Sequence, residues 1–347
     1  MEVINGVLLH AVGASSAALC YTPQKKVRGW AWQTYWLAQA FVCWLLLPVI
    51  VAFITIPELM DVLREAPSAS MRSSFFLGMA YGIGGTAFGI AIRYVGFSLT
   101  YAISVGISCV LGTLLPPMMN GTLGEVFQRP GAFLMGTGIF LGAFGIALCG
   151  VAGRKKEKDL EALTETKTQF SLAKGLPLCL LAGVLSALYG FSIDQGQPIA
   201  EVAAAHGAGH FQGNVIYLFS NTGAFVTTAL YCLYLHIKNK TFGEYSNIKE
   251  GNSFLPANYL MASLTGLLWY GQFFFYGLGH VRMGNFKFTS WTIHMIMLVL
   301  FSSLAGLWMK EWKQCKRPTM VMLGLALAVL ILAVMALTIA NYIGSAE

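Results

Sequence analysis

Residues 145–178 read GIALCGVAGRKKEKDLEALTETKTQFSLAKGLPL. An apolar, glycine-rich run enters a block of mixed charge at Arg154, and a second apolar run leaves it at Leu172. Gly153 to Ser171 is the longest polar stretch in the chain. Charge runs of this kind are usually solvated, so it reads as a linker. Five long apolar runs precede it and five follow it.

The ten runs cover about 3–21, 34–56, 74–92, 97–117, 131–152, 174–193, 214–235, 258–279, 289–309 and 319–342. Crossing about 30 Å of hydrocarbon takes roughly 20 apolar residues in a helix. Lipid offers no partner for backbone N–H and C=O groups, so each run is expected to be an α-helix. A β-barrel would show short alternating strands instead.

Composition agrees. The chain has 347 residues, of which 56% are hydrophobic and 11% charged. Soluble domains carry about 25% charged residues. A mean hydropathy of +0.64 excludes a soluble enzyme and intrinsic disorder alike. The net charge is +7. Because the charges sit in short clusters between apolar runs, they speak for membrane loops and against a nucleic-acid partner. Of the 22 Lys and Arg residues, 17 fall in the odd-numbered connections and 5 in the even ones. The positive-inside rule places the odd connections in the cytoplasm and both termini outside. Met1 to His10 lacks a basic leader, so the first run is expected to remain as a helix. The seven cysteines lack C-x-x-C spacing and read as small packing residues.

The two halves are weakly similar. Gly13, Ser16 and Ala17 match Gly183, Ser186 and Ala187. Arg93 to Gly96 matches His280 to Gly284, and Ser108-x-x-x-Gly112 matches Ser302-x-x-x-Gly306. The matches follow one order in both halves. Five is an odd number, so a duplicated five-helix unit enters the membrane in opposite senses. That is an inverted repeat, as in secondary transporters. The expected organisation is a first repeat over 1–152, a cytoplasmic linker over 153–173 and a second repeat over 174–347. Gly78, Gly82, Gly85 and Gly89 share one helix face. Close helix packing and a rocking seam are both compatible with that stripe.

Candidate site residues concentrate in 269–280, WYGQFFFYGLGH. At about 100° per residue, Trp269, Gln272, Phe273, Tyr276 and His280 share one face. Aromatic faces beside an amide suit a sugar, whose C–H face stacks on rings while its hydroxyls meet polar groups. Packing against neighbours or lipid is the plainer use of the same rings. Asn214, Tyr217 and Asn221 form a polar stripe on the seventh run, and Tyr101, Ser104 and Ser108 another on the fourth. Trp291 and His294 follow on the ninth. Histidine titrates near neutral pH, so His280 and His294 are proton-coupling candidates, with Asp194 at the outer end of the sixth run. His206 and His210 are four apart, but no carboxylate completes a metal set with them, and no metal is expected. Neither a phosphate-binding G-x-x-x-x-G-K-[ST] loop nor a nucleophile motif occurs, so no cofactor and no enzymatic activity are expected.

Several stretches resemble a known family. They are Gly13-x-x-Ser16-Ala17-Ala18-x-x-Tyr21-x-Pro23-x-Lys25-Lys26-Val27, then Trp30-x-Trp32 and Trp36. Later come Trp269-Tyr270-x-Gln272-Phe273-Phe274-Phe275-Tyr276-x-x-Gly279-His280-x-Arg282, Ser290-Trp291-x-x-His294-Met295 and Lys310-Glu311-Trp312. Together they look like the L-rhamnose–proton symporter family of the drug/metabolite transporter superfamily. The resemblance implies uptake of L-rhamnose, or a related deoxy or pentose sugar, with a proton across a bacterial inner membrane. It extends over the length and the ten spans; a monomer is expected to suffice. Sugar is then expected against Trp269, Gln272, Phe273 and Tyr276, with Asn214, Tyr217, Asn221 and Trp291 beside it. Two positions depart from the family pattern: Gln33 stands where a glutamate is expected and Gly85 where an asparagine is expected. An exporter or uncoupled facilitator of another metabolite is the alternative, and a membrane sugar sensor a more remote one.

Overall fold

The computed structural model describes residues 2–20, 22–161, 171–246 and 254–344, without the side chains of residues 92, 93, 97, 98, 285 and 286. Described residues form helices joined by short connections, with no strand among them. The α-helices are α1 (Glu2–Leu19), α2 (Trp32–Ala40), α3 (Leu47–Thr55), α4 (Leu59–Glu65), α5 (Ser68–Val95), α6 (Phe97–Met119) and α7 (Leu123–Gln128). They continue with α8 (Ala132–Glu161), α9 (Leu172–Gln195), α10 (Gln197–Ala205), α11 (Tyr217–Asn239), α12 (Leu255–His280), α13 (Ser290–Trp308) and α14 (Arg317–Gly344). A π turn, Phe41–Leu46, joins α2 to α3.

Nine helical stretches among the described residues are long and apolar enough to cross a membrane. The expected eighth span, α12, is not one of them. It has 26 residues and no Asp, Glu, Lys or Arg. Its Trp, Tyr, Gln and His content lowers its hydropathy, not its length. The outer side chains also fit lipid. Phe133 is 85% exposed, Phe140 69% and Ile237 71%. In water such patches drive association; against acyl chains they cost nothing.

The chain packs as two compact units, each drawn from separate pieces. Unit 1 holds Met1–Ala18, Gly84–Phe191 and Leu278–Glu347; unit 2 holds Leu19–Ile83 and Ser192–Gly277.

In unit 1, α8 and α14 lie side by side because glycines on α8 admit leucines of α14. A Cβ at Gly138 would stand 2.6 Å from Leu337 Cγ, and one at Gly145 would stand 2.6 Å from Leu330 Cδ2. The charged stretch is only partly a solvated linker. Helix α8 continues to Glu161, and residues 162–170 lie outside the described residues. Asp159 Oδ2 accepts from Lys316 N at 2.9 Å and from Thr319 Oγ1 at 2.7 Å, which caps the start of α14. Lys156 pairs with Glu311 at 3.0 Å and lies over the Trp312 ring. Charges that read as solvated therefore dock one helix on another.

In unit 2, α5 crosses α11 at backbone contact. A Cβ at Gly78 would lie 2.0 Å from Ser220 O, and one at Gly223 would lie 2.1 Å from Phe75 O. A Cβ at Gly82 would meet Thr227 Oγ1, which itself donates to Met79 O at 3.0 Å. Gly85, on the same expected stripe, has nothing within 4 Å of its would-be Cβ. The stripe's first two glycines thus serve close packing. Ser74 and Ser192 exchange hydrogen bonds, each hydroxyl reaching the other's carbonyl, and tie α5 to α9.

At one end of unit 2, His206 sits between Glu58 at 2.9 Å and Glu65 at 3.0 Å, one on each ring nitrogen. Glu58 has a left-handed backbone, φ 50°. Hydrogen bonds to Glu65 and Glu58 raise the His206 pKa above its ordinary value.

Two outcomes follow from this packing. Gly138→Ala is expected to destabilise by about 1–3 kcal/mol through overpacking. Gly136→Ala, with nothing within 4 Å, is the matched control and should be neutral or slightly stabilising. Thermal unfolding in detergent reads both. The second outcome is a pH dependence. With a raised folded pKa, the His206 clip contributes fully below about pH 6.5 and is lost as pH rises through the folded value. Hydrogen exchange of residues 58–65 should speed up over that rise, and His206→Gln should remove the dependence.

Candidate functional site

The α12 aromatic face exists and is buried: Trp269, Gln272, Phe273 and Tyr276 are each less than a tenth exposed. Trp269 lies between two further indoles. Its ring centroid is 5.5 Å from Trp36 and 5.3 Å from Trp44, both edge-on. Trp32 stacks on Trp36 at 5.0 Å, and Tyr81 meets Trp44 at 6.1 Å. Tyr270 meets Tyr217 edge-on at 6.4 Å.

The π turn builds this cluster. Trp36 and Trp44 are eight positions apart. In a regular α-helix that is about 2.2 turns, which leaves the side chains about 80° apart. Bonding from i to i+5 winds the chain more slowly and takes up the surplus. Both indoles then reach Trp269. Gly266 lets this segment lie against α12, since a Cβ there would stand 2.7 Å from Val42 Cβ and 2.9 Å from Gln39 O. Tyr35 OH bonds Thr265 Oγ1 at 2.5 Å and holds the crossing in register.

Polar atoms in this region are buried without a hydrogen-bond partner among the described residues. They are Trp36 Nε1, Trp44 Nε1, Tyr270 OH and both amide atoms of Gln39, which is fully buried. Buried polar groups are normally paired, and leaving one unpaired costs about 1–3 kcal/mol. Trp36, Trp44, Gln39, Tyr81 and Tyr270 were not among the expected site residues. Trp36 stood in the family motif, but no sequence rule reveals a π turn.

Other expected residues are committed to the protein. Asn214 lies in the 3₁₀ turn before α11 and donates to Thr55 Oγ1 at 3.0 Å. Tyr217 OH donates to Phe273 O at 2.7 Å. Asn221 is fully buried on α11. Asp194, on α9, is within electrostatic reach of the Tyr276 phenol. All of these belong to unit 2.

Trp291, His280 and His294 belong to unit 1. Trp291 Nε1 donates to Ser108 O at 3.1 Å and to Ser108 Oγ at 3.2 Å, and Gly112 leaves room for its ring. Ser104 donates to Cys179 O and Ser108 to Ser186 Oγ, so the polar stripe of α6 fastens it to α9. His294 meets His10 edge-on, with centroids 5.9 Å apart.

Gln33 is buried at the first turn of α2 in a hydrogen-bonded chain. Its Nε2 donates to Thr241 Oγ1 at 2.9 Å. Thr241 Oγ1 lies 2.7 Å from His236 Nδ1, and His236 Nε2 lies 3.1 Å from Tyr245 OH. Tyr245 OH donates to Thr34 O. The phenol's one proton is thus used, so His236 Nε2 carries the hydrogen and Nδ1 accepts from Thr241. A neutral imidazole satisfies every member. Glu244 completes the junction, accepting from Ala31 N at 2.7 Å and Thr34 Oγ1 at 2.5 Å.

Comparison with known proteins matches this architecture to one group. A family model described as L-rhamnose-proton symport protein (RhaT) matches residues 1–342. An L-rhamnose-proton symporter of Cronobacter sakazakii is 34% identical over 333 residues, covering 95% of this chain and 96% of that protein. L-rhamnose-proton symporters of Yersinia pestis and Yersinia pseudotuberculosis are 32% identical with the same coverage. On this match along almost its whole length, and with its many apolar helices, the chain is a multi-pass membrane protein that belongs to the L-rhamnose-proton symport protein family of transporters.

Proposed function

We propose that this chain carries L-rhamnose, or a related deoxy or pentose sugar, into the cell together with a proton by alternating access. The observation that carries the reading is the indole cluster around Trp269 with its unpaired polar atoms. A sugar stacks its C–H face on such rings and supplies hydroxyls to Gln39, Tyr270 and the indole N–H groups. Gln272, Phe273 and Tyr276 extend the same helix face. Tyr217 holds that face through Phe273 O, and Asn214, Tyr217 and Asn221 are the further sugar-contact candidates beside it. Trp291, on α13, is a further candidate for sugar contact. The proton-coupling candidates are His280 and His294 in unit 1 and, separately, Asp194 in unit 2.

The architecture we infer has ten spans, α12 being one of them, arranged as two inverted five-helix repeats of the drug/metabolite transporter type. Repeat boundaries at 1–152 and 174–347, a cytoplasmic linker and periplasmic termini follow from the charge distribution. Each compact unit draws helices from both halves of the chain. The membrane is the bacterial inner membrane, and a monomer suffices. A second reading, uncoupled facilitation, is favoured by Gln33, an amide that cannot titrate, bonded into a neutral chain.

Labelled L-rhamnose uptake in cells lacking their own transporter separates these readings. Proton-driven import predicts accumulation that a protonophore abolishes. Uptake that only equilibrates and ignores the protonophore would establish facilitation. Gln39→Leu provides a residue-level check. Removing an unpaired buried amide should raise stability by about 1–3 kcal/mol in the sugar-free protein. The same change should weaken L-rhamnose binding about tenfold, because a site built to bond a hydroxyl loses that bond. Scanning calorimetry and binding titration on one preparation measure the two effects, and unchanged affinity would remove Gln39 from the site.

A further inference from the structure

Helix α1 and the end of α12 cross glycine on glycine. A Cβ at Gly6 would stand 3.0 Å from Gly279 O, and one at Gly279 would stand 2.8 Å from Gly6 O. One turn beyond Gly6, this crossing lays His10 against Gly279, its Nε2 only 3.0 Å from the position of a Cβ there. Helix α13 brings His294 to His10, with centroids 5.9 Å apart and planes at 69°. His10 and His294 are essentially without solvent exposure, and His10 lies within electrostatic reach of both His280 and His294.

We propose that His10, His280 and His294 form one buried site that holds a single proton, and that His10 is its central member. This deepens the proton-coupled reading above and rests on it. Edge-to-face rings favour one charge between them, because the positive edge of an imidazolium meets the π face of its neighbour. A second proton would place like charges at this distance in a poorly polarisable interior. The surrounding charges are Arg282, paired with Glu2 at 3.5 Å and bonded to Leu278 O, and Lys287, which acts on His280. Two nearby cations further limit the site to one proton. On protonation a ring nitrogen gains a hydrogen from hydronium, which leaves as water; release reverses the step.

The test uses the full chain in proteoliposomes with labelled L-rhamnose. Exchange of internal for external sugar needs no net proton movement, whereas accumulation against a gradient does. His10→Gln is expected to reduce proton-driven accumulation at least about tenfold, keep exchange within about twofold, and flatten its pH profile. His10→Asn carries the same test should the first variant fail to insert. Accumulation and pH profile within about twofold of the unsubstituted chain would overturn the proposal. So would loss of both accumulation and exchange in a folded variant, which would make His10 structural. Absence of L-rhamnose exchange by the unsubstituted chain would instead fail the transport reading, and the proposal with it.

Discussion

Lipid as solvent is the constraint on which the rest depends. It leaves no choice for the backbone, which must bond to itself, and so the described residues fold as helices. It also removes the hydrophobic drive between helices, because acyl chains are as apolar as leucine. Helices must then be held by close van der Waals contact and by hydrogen bonds. Both devices recur here. Glycines at 78, 82, 138, 145, 223 and 279 allow backbone or side chains to approach nearer than any Cβ would permit. Hydroxyls such as Ser74, Ser104 and Thr227 reach carbonyls on neighbouring helices.

The same solvent gives unpaired polar atoms their meaning. In water an indole N–H without a protein partner is ordinary. Inside a helix bundle it is a standing cost. Most polar side chains of the bundle are matched: Tyr217 to Phe273, Trp291 to Ser108, Gln33 to Thr241. The exceptions of the α2–α3 segment, Trp36, Gln39 and Trp44, gather where a π turn has already disturbed the helix. The Trp36 ring, before that turn, and the Trp44 ring, within it, both meet Trp269.

The charged segments follow an opposite logic. Glu58, Glu65 and His206 are brought together at the ends of helices, where water and salt reach them. Their pairing responds to pH and ionic strength. Asp159 and Lys156 are partly covered, and their bonds fix where α14 starts. The Gln33 chain shows a third case, in which buried polar groups are joined in one run of hydrogen bonds from Gln33 through Thr241 and His236 to Tyr245.

The sequence by itself determined the class of the molecule. Length, hydropathy and the distribution of Lys and Arg specify a multi-pass helical membrane protein, because those quantities depend on single residues and their solvent. The α12 face was legible for a related reason: 100° per residue is a property of one helix, so Trp269, Gln272, Phe273 and Tyr276 could be grouped before any neighbour was known. Family motifs pointed to the transporter group. Tertiary structure alone decided the partners. Trp36 and Trp44 join Trp269 only because a π turn rewinds α2 and Gly266 admits it. His10 meets His294 only because Gly6 and Gly279 cross. Asn214 donates to Thr55 and Trp291 to Ser108, partners that no spacing specifies. Such meetings depend on contact between segments far apart in the chain, and no local periodicity encodes them.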